Sequence, residues 1–222
     1  MRARLFPVLL LLPALTSACA GPLAGGVYEH WGSRISASSL PPREQMAHTA
    51  EETEMQVVTA ARDIVEHTGL KMNFAVVSYD VPTAMAYMGS DGSRLLLFNP
   101  KFIASVHDRV SHDWGVMAVM AHEIGHHLQG HIFKNDPNIY YRELEADEFS
   151  GFVLYRMGST LEEAQLAVRN LAIDRDLPSH PKRDIRLAAI ARGWFKAQSV
   201  AALEFQAAER RDAGLRVANP HQ

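Results

Sequence analysis

Apolar positions recur three and four apart along most of this chain, and one short block breaks that rhythm. In "PPREQMAHTAEETEMQVVTAARDIVEHTGL", Pro41 and Pro42 stand at the start and Gly69 at the end. Met55, Val58, Ala61, Ile64 and Val65 mark one face of a helix between them. "NFAVVSY", Asn73 to Tyr79, is rich in β-formers. "TAMAYMG", "SDGS" and "RLLLFNP" then read as two strands joined by a tight turn at Asp91-Gly92. Beyond Pro100 the helical period returns over Lys101 to Val110, His112 to Phe133, Asn138 to Met157, Leu161 to Ala172 and Pro181 to Gln198, with a further stretch at Val200 to Arg211. Pro181 suits a first helical turn, and Ser159 or Thr160 with Glu162 or Glu163 three residues on offers overlapping capping boxes. The order is helix, small antiparallel sheet, helical body, which predicts an α+β fold without repeats or a second domain.

The first twenty residues follow a different rule. Arg2 and Arg4 precede an apolar run from Leu5 to Leu15, which gives way to the small residues Thr16 to Ala20, the layout of a secretory signal. The run is interrupted by Pro7 and Pro13 and falls short of the ~20 residues that a membrane span needs. "ACA" at Ala18 to Ala20 fits one cleavage chemistry. "LTSAC" resembles a bacterial lipobox ending at Cys19, although Leu15 lies four residues before the cysteine where that pattern has three. Either way the protein is expected to be exported to the periplasm, soluble or attached to a membrane by an N-terminal lipid. The expected organisation is a signal at 1–20, a flexible segment at 21–40, a catalytic domain at 41–199 and a C-terminal helix and tail at 200–222.

Cys19 is the sole cysteine, so a mature chain starting beyond it has no disulfide and must draw stability from its core or a metal. Loss of residues 1–20 removes 2 of the 22 basic residues and no acid, leaving 20 against 25 and a formal charge of −5 with histidine neutral. A nucleic-acid partner is not expected.

Candidate chemistry concentrates in "VMAHEIGHHLQGH", Val119 to His131. On a helix His122 and His126 lie about 6 Å apart on one face and can both reach a tetrahedral Zn²⁺. Glu123, about 100° round from His122, suits a water at the metal: it can take the water's proton as the water attacks a carbonyl and pass it to the leaving amine. Sequential HExxHxxGxxH ligation fails, because Gln129 and Ile132 stand where glycine and histidine would be needed. On a regular helix His127 points about 100° and His131 about 140° away from His126, so both are read as bystanders.

A third ligand is sought in "RELEAD". "KNDPN", Lys134 to Asn138, breaks the helical pattern and lets the next helix return antiparallel. From His126 to a helix end near Phe133 is about 10 Å of rise, and from a restart near Pro137 to Glu143 about 9 Å, which returns Glu143 to the level of His126. The same count puts Asp147 level with His122, where a carboxylate can accept the free ring N–H of that ligand. Glu145 lies about 200° round from Glu143 and reads as a solvated charge. Tyr140, Tyr141, His180 and Arg186 are the polar candidates for stabilising a transition state. His180, on the loop "LPSHPK", could also approach the open metal position and hold the site latent until substrate displaces it.

"HEIGH" followed by "ELEAD" resembles the gluzincin metallopeptidases that include HtpX, BepA and the CAAX prenyl protease, and the resemblance runs from about Phe74 to Trp194. "RLLLFNPKFI" and "SHPKRDIR" look like that family's segments before and after the active-site helices. The resemblance implies a zincin-like metalloprotease domain with one Zn²⁺ per chain, Glu143 as third zinc ligand and Asp147 as support to a histidine ligand. It also implies a zinc-dependent metalloendopeptidase of the bacterial envelope acting on unfolded or misassembled proteins. The short interval between the two motifs and the lack of transmembrane helices or tetratricopeptide repeats mark a minimal member. A zinc-bearing chaperone-like module with little proteolysis and a cell-wall peptide hydrolase remain as alternatives.

Overall fold

The computed structural model describes residues 43–89, 91–110, 113–133, 138–177 and 180–218, with side chains described between 52 and 211. The expected signal and flexible segment therefore lie outside the described residues. Helix α1 spans Arg43–Glu66 and buries Val57, Ala60, Ala61, Ile64 and Val65. Met55 is exposed, so the inward face is rotated slightly from the one the apolar spacing predicts. Strands β1 (Ala75–Ser78), β2 (Ala84–Met88) and β3 (Arg94–Phe98) follow, then helix α2 (Pro100–Val110). Asn99 starts α2: its Oδ1 accepts from the Lys101 backbone N–H at 3.0 Å, and Pro100 occupies the first turn, where a missing N–H is harmless.

The sheet is mixed rather than wholly antiparallel. Its order is β1-β3-β2, with β2 antiparallel and β1 parallel to β3. The chain leaves β1, crosses to the far edge as β2, and returns through the turn at Asp91-Gly92 to insert β3 between them; two reversals make β3 run with β1. Gly92 takes a φ of 82°, which the turn requires, and the Gly89 N–H donates to the Ser93 carbonyl at 2.8 Å.

Helix α3 (Asp113–Leu128) is buried on nearly every side from Gly115 to His127, as its continuous apolar composition dictates, and forms the centre of the molecule. Burial of Val119, Met120 and Ile124 contributes about 1.5–3 kcal/mol each for the larger side chains. The predicted helix to Phe133 ends early: Gly130, at φ 71°, reverses the chain into a 3-10 turn at His131–Phe133. Helix α4 (Ile139–Arg156) then returns against α3. Gly125 permits close approach, since a Cβ there would stand 3.1 Å from the Ala146 Cα and the Phe149 ring.

The predicted helix from Leu161 is split into α5 (Leu161–Ala164) and α6 (Leu166–Leu171). Of the two candidate capping boxes the chain uses Thr160 and Glu163. Helix α7 (Arg183–Ala218) runs unbroken through residue 199, where a boundary was expected. Its first half crosses α4 at backbone contact. A Cβ on Gly151 would lie 1.9 Å from the Ile190 carbonyl oxygen, and one on Gly193 would lie 1.8 Å from that of Glu148. No helix among the described residues is long and apolar enough to cross a membrane.

Candidate metal centre

The α3–α4 pairing brings His122, His126 and Glu143 to one point. The Nε2 atoms of His122 and His126 are 3.2 Å apart, His122 Nε2 is 3.2 Å from Glu143 Oε2, and His126 Nε2 is 3.5 Å from Glu143 Oε1. Ligand atoms about 2.0–2.1 Å from a tetrahedral zinc stand roughly 3.3 Å from one another, so the spacing fits the ion. Glu143 Oε2 is buried and turned into the cluster, toward imidazole nitrogen. His180 Nε2 comes within 2.9 Å of the same oxygen, and His122, Glu143 and His180 present atoms all within 4.8 Å of one another. This buried cluster could bind a metal.

Asp147 lies behind His122, its Oδ1 2.9 Å from Nδ1. An ionised carboxylate can only accept, so Nδ1 carries a proton, which leaves Nε2, 3.2 Å from Glu143 Oε2, as the nitrogen that a metal would take by displacing the ring's second proton. Arg186 is not in the open part of the site. It is buried and clamps Asp147 with two bonds, Nε to Oδ2 and Nη2 to Oδ1, both 2.8 Å. Burial opposes ionisation of Asp147, but Arg186 and His122 outweigh it and hold its carboxyl below the usual range. For His122 burial likewise opposes the charge, while Asp147 and Glu143 together raise its pKa to about 10. A field that holds a proton so firmly also favours a cation. Tyr140 and Tyr141 stand at the exposed start of α4, ring edge against ring face.

Glu123 is buried beside the cluster, and its Oε2 accepts the Ala86 backbone N–H at 2.9 Å. Burial is the main cause raising its pKa to about 7, near the value at which a general base works best at neutral pH. Ala86 also fixes the orientation of β2. The pairings Asn99 N to Thr83 O and Gly89 N to Ser93 O turn the odd-numbered residues toward β3, so the main-chain groups of Ala84, Ala86 and Met88 face outward along the edge. The outer edge of β2 therefore runs past Glu123.

Neither remaining histidine of the motif is exposed. The ring of His127 stacks on Phe74 at 4.7 Å and its Nε2 donates to the Leu95 carbonyl at 2.9 Å, tying α3 to β3. His131, which a regular helix would have carried away, is folded back by Gly130 so that its Nδ1 lies 2.9 Å from His126 Nδ1. Glu145 Oε2 is in turn 2.9 Å from His131 Nε2. The signal that could have revealed this contact was the glycine before the histidine.

Burial lowers the His127 pKa to about 4, so the unfolded chain takes up a proton near pH 6.5 that the folded chain refuses. Stability should therefore fall as pH drops from about 6.5 toward 4. In His127→Gln, urea unfolding of chelator-treated protein should show a shallower dependence over that window, by nearly one proton or roughly 1.4 kcal/mol per pH unit. Equal slopes would assign the acid sensitivity elsewhere.

Residues 50–140 match the family model described as Peptidase family M48. The M48 match takes in most of α1, the sheet, α2 and all of α3 with its HEIGH segment, a little under half of the chain, and stops before Glu143. It supports assignment to the M48 peptidases. Neither the curated proteins nor the solved structures gave a match. The placement of Glu143, Asp147, His180 and Arg186 around the HEIGH segment thus rests on the geometry of this chain.

Proposed function

We propose that this protein is a zinc-dependent metalloendopeptidase. The observation that carries the reading is the convergence of His122, His126 and Glu143 at tetrahedral spacing, with Glu123 between them and the outer edge of β2. Zinc held by those three side chains would supply Lewis acidity, lowering the pKa of a water and polarising the scissile carbonyl. Glu123 takes the proton from the attacking water and delivers it to the leaving amine. The main-chain groups of Ala84 and Met88 and the Ala86 carbonyl, whose N–H is held by Glu123, take the substrate backbone as an added strand, so that cleavage needs an extended peptide rather than a folded one.

His180 reaches into the same cluster, its Nε2 2.9 Å from Glu143 Oε2 and within 4.8 Å of the His122 ligand atom, and on this reading it is the latch of a latent site that yields when a substrate carbonyl enters. The export pattern at residues 1–20 and the family resemblance support action in the bacterial envelope on unfolded or misassembled proteins. Polypeptide is then the partner, with the protein either free in the periplasm or attached to a membrane by a lipid at Cys19.

Metal analysis and casein hydrolysis test the reading together. Wild type purified without chelator should carry one zinc per chain and cleave casein; Glu143→Ala should lose both. His180→Ala should keep its zinc and cleave faster. A zinc-free wild type would overturn the reading, whereas unchanged cleavage by His180→Ala would remove only the latch.

A further inference from the structure

The two expected histidine ligands are supported from behind in different ways. His122 leans on a buried ion pair, Asp147 with Arg186. His126 leans on another imidazole, that of His131, which is fully buried and ends at the half-exposed carboxylate of Glu145. Burying an imidazole is costly unless its nitrogens are paired, and local structure is built to do so. Gly130 turns the chain left-handed, residues 131–133 form a 3-10 turn, and Arg142 Nη1 donates to the His131 carbonyl at 3.3 Å.

One proton assignment satisfies the row when both rings are neutral. The Glu145 carboxylate accepts from His131 Nε2–H, which leaves His131 Nδ1 bare to accept from His126 Nδ1–H. His126 Nε2 is then bare and faces Glu143 and His122. The opposite tautomer of His131 would turn a bare Nε2 toward the Glu145 carboxylate, lone pair against lone pair at 2.9 Å.

We propose that His131 is a positioning residue for His126, anchored by Glu145: it fixes the ring orientation and tautomer in which Nε2 can bind the metal. This rests on the metallopeptidase reading for its consequence, but not for its structural content. Glu145 opens onto a groove between α4 and α7 lined by Gln129, Glu148, Phe149, Phe152 and Lys196, so solvent reaches the outer end of the row and not its inner end.

The test is zinc affinity, by chelator competition on the full-length protein, together with the tautomer of His126 read from ring ¹⁵N shifts. His131→Phe, which removes the acceptor, should weaken zinc binding about 10- to 100-fold. His131→Asn should recover most of that loss, because its amide oxygen can stand where Nδ1 stood; a residue that merely filled space would not be rescued this way. Glu145→Ala should weaken binding several-fold in the wild-type background and not at all in His131→Asn, which needs no tautomer set. The proposal is overturned if Phe and Asn bind zinc alike, or if Glu145→Ala has the same effect in both backgrounds. If wild type bound no zinc, the metallopeptidase reading would fall, and the ring tautomer would still decide this one: His126 should carry its proton on Nδ1 in wild type and lose that preference in His131→Phe.

Discussion

Glu123→Gln should reduce peptide hydrolysis by about 10²- to 10⁴-fold while leaving the metal in place. The substitution is nearly isosteric, and the amide oxygen can still accept the Ala86 N–H that Glu123 accepts at 2.9 Å. What disappears is the group that takes up and returns a proton. Glutamine also replaces a buried carboxyl whose ionisation the surroundings resist, so folding stability should hold or rise slightly. Single-turnover cleavage of an unfolded substrate, with zinc content and thermal melting on the same sample, separates these effects. Activity within tenfold of wild type, with zinc retained, would mean that another group moves the proton.

The second large effect is expected at Asp147. Asp147→Asn removes the charge that Arg186 grips with two 2.8 Å bonds and leaves a buried guanidinium without its counter-ion. Breaking such a pair on one side costs about 3–5 kcal/mol, on the order of 10 °C in melting temperature for a chain of this size. His122 at the same time exchanges a charged acceptor for a neutral amide that must also face Arg186, so zinc affinity should fall about 10- to 100-fold. The two consequences can be parted. Replacing both partners, as in Asp147→Leu with Arg186→Met, should restore stability in chelated protein, because apolar side chains can substitute for a buried pair. Zinc affinity should remain low. If the double variant recovered both, Asp147 would be acting only as a counter-ion.

The meeting of those side chains that lie on regular helix was legible beforehand. His122 and His126 follow from a spacing of four, and Glu143 and Asp147 from counting rise down one helix and up the next. That count needs only an antiparallel return, and it tolerates the early end of α3 because the turn absorbs the difference. His131 was misread for the opposite reason: a fixed 100° per residue carries it away from His126, and one left-handed glycine at 130 brings it back. The pairing of Arg186 with Asp147 carried no local signal, since the two are 39 positions apart and only the crossing of α4 and α7 joins them. The direction of β1 was equally hidden. Side-chain alternation marks a strand without saying which neighbour it takes, and only the insertion of β3 between β1 and β2 makes the sheet mixed.

The paired glycines of the α4–α7 crossing set where this protein can move. With Gly151 and Gly193 each touching a carbonyl of the opposing helix, neither rod can slide or roll past the other without backbone collision. Glu143, Asp147 and Arg186 are therefore parts of one rigid frame. His180 is outside it, on the stretch between Ala172 and the start of α7, held by the Leu177 N–H bonding to the His180 carbonyl at 2.8 Å and by the Arg183 N–H bonding to that of Ile173 at 3.2 Å. If His180 is the latch proposed above, access to the site is separated from its assembly, because the residue that must yield lies outside the frame that sets the site's dimensions.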